Sequence, residues 1–138
     1  MCAILLAGAL LLASAVRAED ARSESEILHA RVEQLRDDPE LRIAGARIIA
    51  LDLAAELYAH RGFTRAWSSP AASDGLLRAI RDSADDGLDP EDYLLGALEG
   101  ARSAAAHDGA PLEARVDYDL LQTEALTRLL YHLIFGKV

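Results

Sequence analysis

The stretch Leu112-Glu-Ala-Arg-Val-Asp-Tyr-Asp-Leu-Leu-Gln-Thr-Glu-Ala-Leu-Thr-Arg-Leu-Leu-Tyr-His-Leu-Ile-Phe135 decides the fold. Leu121, Ala125, Leu129 and Leu133 fall on one helical row, and Leu126, Leu130 and Ile134 on the row beside it. An apolar stripe that wide exceeds what a helix resting on one partner needs, so this segment is expected to be the central helix of a bundle, with Tyr118 and Tyr131 at its margins.

The rest of the chain agrees with helix. Ala and Leu supply 27 and 24 of the 138 residues, whereas Val, Ile and Thr together supply only 14. Strong helix formers are therefore abundant and the usual material of a sandwich or barrel is scarce. The expectation is one all-α domain, a compact bundle of about five helices with at most one short extended segment.

Upstream of the central helix, Leu28, Val32 and Leu35 line one face of a first helix that ends near Asp37-Asp38-Pro39. Leu41 and Ile43 alternate with polar or small residues before Gly45, which suggests a short extended piece. Ile49, Leu53 and Leu57 then resume a period near four, with Tyr58 and Arg61 extending the face and Gly62 closing helix two. Ser73 is expected to cap a third helix with Leu76, Leu77, Ile80 and Ala84 inward and Gly87 as its stop. Asp89-Pro90 is expected to restart a helix at once, with Tyr93, Leu94, Ala97 and Leu98 as its apolar face. Residues 103–111 read as a loop.

The N-terminus reads as an export leader. Residues 3–16 are an uncharged apolar run, followed by Val16-Arg17-Ala18, so residues 1–18 are expected to be a signal peptide and residues 19–138 the domain. The run is shorter than the roughly 20 residues a membrane span requires, and no integral span is expected after cleavage. No Lys or Arg precedes it, which points to a start codon further upstream. Cys2, the single cysteine, leaves with the leader, so the exported chain has no thiol for disulfides, metal or nucleophilic attack.

Fourteen basic against 23 acidic residues give a net charge of −9. Such a surface repels phosphate backbones and anionic lipid, so nucleic acid is not an expected partner. His29, His60, His107 and His132 lack zinc-type spacing, and His132 reads as a hydrogen-bonded structural histidine. There is no Gly-x-Ser-x-Gly elbow and no glycine-rich phosphate loop. Residues 82–92 are dense in acids but fail as a calcium loop: from Asp82, position three is Ala84 and position twelve is Tyr93 where a bidentate Glu belongs. No carboxylate pair stands out for sugar cleavage. Catalytic, metal and cofactor-binding residues are all expected to be none. Trp67, Phe63 and Arg61 make one aromatic and cationic cluster that either stacks on a saccharide or seals the end of helix two.

Three segments carry a family resemblance: Leu57-Tyr58-Ala-His-Arg61-Gly62-Phe63-Thr-Arg-Ala66-Trp67, then Asp85-Asp86-Gly87-Leu88-Asp89-Pro90-Glu-Asp92-Tyr93, then Leu129-Leu130-Tyr131-His132-Leu133-Ile-Phe135-Gly136-Lys137-Val138. In this order the chain resembles, over most of its length from Leu35 onward, the helical scaffold domain that precedes the catalytic domain in large periplasmic L,D-transpeptidases, the enzymes that crosslink peptidoglycan. The resemblance implies a noncatalytic domain that supports and positions the crosslinking enzyme on peptidoglycan in the periplasm. Its partners would be the missing catalytic domain or another cell-wall enzyme, and the glycan itself. It implies structural roles for Tyr58, Arg61, Phe63, Trp67, Asp86, Gly87, Leu88, Asp89, Pro90, Asp92, Tyr93, Tyr131, His132, Phe135 and Gly136.

Two departures from the family pattern bear on local structure. Arg65 stands where the family has proline, which implies a looser turn before Trp67, and Leu94 stands where it often has histidine. The family's Ser/Thr-His-Gly-Cys motif is not in this sequence, which reads as cut off after the last scaffold helix. The alternative is a free-standing periplasmic helical module that binds a cell-wall enzyme or glycan.

Overall fold

A computed structural model describes residues 2–136, with side chains from residue 12 onward except at position 21. The side chain of Cys2, together with Lys137 and Val138, lies outside the described residues. The elements are α1 (Cys2–Asp37), a two-stranded hairpin of β1 (Arg42–Ile43) and β2 (Ala46–Arg47), α2 (Leu51–His60), α3 (Pro70–Asp82), α4 (Leu95–Ala106) and α5 (Leu112–Phe135). Two single 3₁₀ turns, Ser83–Asp86 and Pro90–Tyr93, connect α3 to α4. The domain is a bundle of five α-helices.

Helix α5 is its axis. Val116, Leu120, Leu121, Ala125 and Leu129 are buried, and α1, α2, α3 and α4 all pack against it. Fully burying one such leucine contributes about 2 kcal/mol, so this single row outweighs any propensity term in α5. Helix α1 contributes Leu28, Val32 and Leu35 to the same core. It runs unbroken through Ala18, with the side chains of residues 12–20 exposed. Among the described residues no helix is long and apolar enough to cross a membrane.

The extended piece is a hairpin. Arg42 pairs with Arg47 and Ile43 with Ala46. Ala44 and Gly45 between them both have positive φ, 47° and 80°, as a two-residue turn of matching twist demands. Ile43 and Ala46 point into the core and the two arginines point out.

Four expectations are corrected. Ile49, Leu53 and Leu57 do not face the core: they are 72%, 54% and 38% exposed, and Ala54, Ala55 and Tyr58 are the buried residues of α2. Small alanines let α2 approach closely, and the bulky row is left outside. Ser73 is buried inside α3; the cap is Ser69, whose hydroxyl accepts from the Ala72 N–H, because Pro70 takes the first helical position. Ala84 sits exposed in the first 3₁₀ turn. Asp89-Pro90 starts only a 3₁₀ turn, since Leu94 at φ 63° breaks the chain before α4, which then continues to Ala106 through part of the expected loop.

Candidate functional site

The polar residues of α5 sit where its apolar rows leave gaps, and each reaches a different part of the chain. Asp119, 1% exposed, accepts the backbone N–H of Ala66 and of Trp67 at 2.9 Å each. Its Oδ1 also accepts the Tyr58 hydroxyl at 2.7 Å. The indole N–H of Trp67 donates to Thr123 Oγ1 at 3.0 Å, and Thr123 Oγ1 lies 2.7 Å from the Tyr58 hydroxyl. A chain of donors thus runs from Trp67 through Thr123 and Tyr58 to Asp119, with every hydrogen placed. Burial pushes the Asp119 carboxyl above its usual range, against the lowering effect of Tyr58 and the two amides. Burial, and then the charge of Asp119, push the Tyr58 hydroxyl far above its own.

One and a half turns further along, Glu124, also 1% exposed, takes the N–H of Ile49 and of Ala50 at 3.0 Å each. These amides precede α2, whose own start carries no side-chain cap. Arg128 Nε donates to Glu124 at 2.7 Å, and its Nη2 donates to the Arg47 carbonyl at 2.8 Å, tying the hairpin to the same point. A weaker bond from Nη1 reaches the Asp92 carbonyl at 3.4 Å.

The motif residues fall into two groups, each joined to α5. Around the first motif, Tyr58 and Trp67 belong to the Asp119 network. Phe63 stacks on His29 of α1 with ring centroids 4.1 Å apart, and exposed Arg61 donates to the carbonyls of Thr64 and Arg65. Arg65 Nε donates to Glu24 of α1 at 2.9 Å, and Asp119 holds the two amides after it.

The second and third motifs meet through buried Tyr93, whose hydroxyl lies 2.9 Å from His132 Nδ1. Gly87 ends the turn after α3 at φ 77°, a conformation glycine adopts freely. Leu88 packs half-buried on the core, exposed Asp86 lies in the 3₁₀ turn, and Asp89 accepts from the Glu91 N–H beside Pro90. Gly136 closes α5 with its N–H on the His132 carbonyl. Tyr131 and Phe135 remain exposed, their rings 5.0 Å apart.

Sequence reading missed Asp119, Thr123 and Glu124. The available signal was polar residues set between the apolar rows of the central helix, where each must find a partner. Among the described residues no group of three or more His, Cys, Asp or Glu is placed to hold a metal ion.

The fold and this network define a small helical domain braced from within by side chains of one central helix. The chain belongs to the Scaffold domain family, whose model matches residues 52–138. Comparison with curated proteins and with solved structures gave no match.

Proposed function

We propose that the domain is the noncatalytic scaffold of a periplasmic L,D-transpeptidase, supporting and positioning the crosslinking enzyme on peptidoglycan. The observation that carries the reading is the engagement of the motif side chains. Tyr58, Trp67, Tyr93 and His132 are tied into internal hydrogen bonds, and Asp119, Thr123 and Glu124 are closed off from substrate. Groups arranged in this way fix shape rather than transfer protons to a ligand.

A docking role is supported by the distal end of α5. Leu130, Tyr131, Leu133, Ile134 and Phe135 are exposed, between 45% and 70%, on a helix whose earlier turns are buried. Apolar residues gathered in this way mark a surface that another polypeptide covers. Export to the periplasm is supported by the leader-like run and, among the described residues, by a core that begins at Ile27 and Leu28 of α1.

The test has two arms. Purified residues 19–138, given tetrapeptide stems, are expected to form no crosslink, and turnover by this chain alone would defeat the proposal. Reading the gene past Val138 is expected to show the Ser/Thr-His-Gly-Cys motif; its absence would favour the free-standing module instead. In a longer protein carrying that motif, Leu133→Lys with Ile134→Lys is expected to lower crosslinking without unfolding this domain.

A further inference from the structure

A cavity of about 320 Å³ opens between the turn that follows Phe63, the start of α3, the end of α4 and the first turns of α5. Three of the chain's 14 basic residues, Arg65, Arg102 and Arg115, line it together with Trp67 and Tyr118. They come from a turn, α4 and α5, so the fold assembles them; no run of basic residues exists in the sequence.

The cavity gathers three guanidinium groups in a molecule whose net charge is −9. Arg65 and Arg115 share Glu24, at 2.9 and 3.2 Å, and Arg102 pairs with Asp74 at 2.6 Å. Three guanidinium groups thus stand against the two carboxylates they pair with, and Arg65 also lies within the field of Asp119. Each guanidinium has five N–H donors and gives only one to these pairs. The remaining donors are arranged as planar forks, the geometry that grips a carboxylate with two bonds.

The aromatic walls are fixed. Trp67 is held by its indole N–H on Thr123 and its main-chain N–H on Asp119. The Tyr118 hydroxyl is buried beside the Ser73 side chain. A volume of this size suits a dipeptide or a single sugar ring.

We propose that this cavity binds a small carboxylate-bearing ligand, the acid held by Arg102 and Arg115 and the adjoining apolar face resting on Trp67. The shared chemistry is a carboxylate beside a compact body, and it can come from the carboxyl end of a peptide or from a sugar acid. The inference does not depend on the scaffold reading, since it concerns the cavity alone.

Trp67 is the only tryptophan, so its fluorescence and its indole N–H resonance report on this cavity without further labelling. The full chain is titrated with N-acetyl-alanyl-alanine, the amide of the same dipeptide, glucuronic acid and methyl glucoside, with sodium chloride as the ionic control. A saturable change is expected with one or both acids, with the amide and the glucoside at least tenfold weaker, since charge-assisted bonds carry roughly that difference. A response to the dipeptide acid alone assigns a peptide end, and a response to glucuronic acid alone assigns a sugar acid.

Arg102→Ala, which removes only a surface ion pair from the free protein, is expected to weaken the response about tenfold while helical circular dichroism stays unchanged. Arg102→Lys keeps the charge without the fork and is expected to fall between. Neutral probes binding as tightly as acids would overturn the proposal. So would the absence of any saturable change beyond the chloride control, or an Arg102→Ala protein that binds as the parent does.

Discussion

Tyr58 donates its hydroxyl to Asp119 at 2.7 Å across 61 positions of sequence, and both side chains are sealed from water. Helices α2 and α5 are thereby joined at a point where a missing partner has no solvent to replace it.

Removing the carboxylate exposes that dependence. Asp119→Ala leaves the amides of Ala66 and Trp67 without their acceptor and leaves the Tyr58 hydroxyl only the main-chain carbonyl of residue 119, and each buried unsatisfied donor costs about 1–3 kcal/mol. A loss of roughly 3 kcal/mol or more is expected in urea unfolding, with Asp119→Asn losing less because one oxygen remains. A change below about 1 kcal/mol for the alanine variant would show that the network does not brace the fold.

Alkali attacks the other end of the same bond. The Tyr58 hydroxyl is raised by burial and by the neighbouring carboxylate, while in the unfolded chain it ionises near its ordinary value of about 10. The unfolded state therefore releases its proton first, so the stabilisation is complete below about pH 10 and falls away as pH rises beyond it. Tyrosinate absorbance and loss of helix are expected to rise together for one of the four tyrosines. Early ionisation of all four in a still helical protein would contradict this.

Asp119 carries the same sign at lower pH. Its carboxyl is raised, so the folded state holds a proton the unfolded chain has released, and this contribution fades as pH climbs from about 4 through the raised value. Asp119→Asn is expected to flatten that part of the stability profile, and an identical slope in parent and variant would count against a raised Asp119.

Glu124 is the corresponding clamp for the start of α2. Glu124→Ala frees the Ile49 and Ala50 amides and leaves Arg128 without its carboxylate. Hydrogen exchange at residues 49–54 is expected to quicken far more than at residues 76–80 of α3. Uniform acceleration along the chain would mean global destabilisation and no local clamp.

Gln122 points the opposite way. It is 1% exposed and its Oε1 has no hydrogen-bond partner. Gln122→Met keeps the length and removes the unsatisfied acceptor, so a gain of about 1 kcal/mol is expected in thermal or urea unfolding. Destabilisation would show that the amide is satisfied in solution.

The bounds of α5 and the end of α1 before Asp38-Pro39 were legible because each rests on local signals, periodicity and a proline, whereas α3 ends at Asp82 and Gly87 closes only the 3₁₀ turn after it. The inward face of α2 was not legible. Ile49, Leu53 and Leu57 have a helical period whichever side faces the core, and only packing against α5 selects Ala54, Ala55 and Tyr58. The break at Leu94 was hidden because leucine gives no hint of a left-handed conformation. For the site, the motif residues were visible as a pattern. Their partners on α5 lie 36 to 65 positions away, and no spacing rule pairs residues that distant.

Helix α5 follows, in the order of the chain, every segment it fastens. A chain growing from its N-terminus on the ribosome is a loose series of helices until Asp119 and Glu124 arrive and close both joints. Late locking keeps the nascent molecule threadable, and chains stopped before residue 119 are expected to remain open to protease however long they are left to fold.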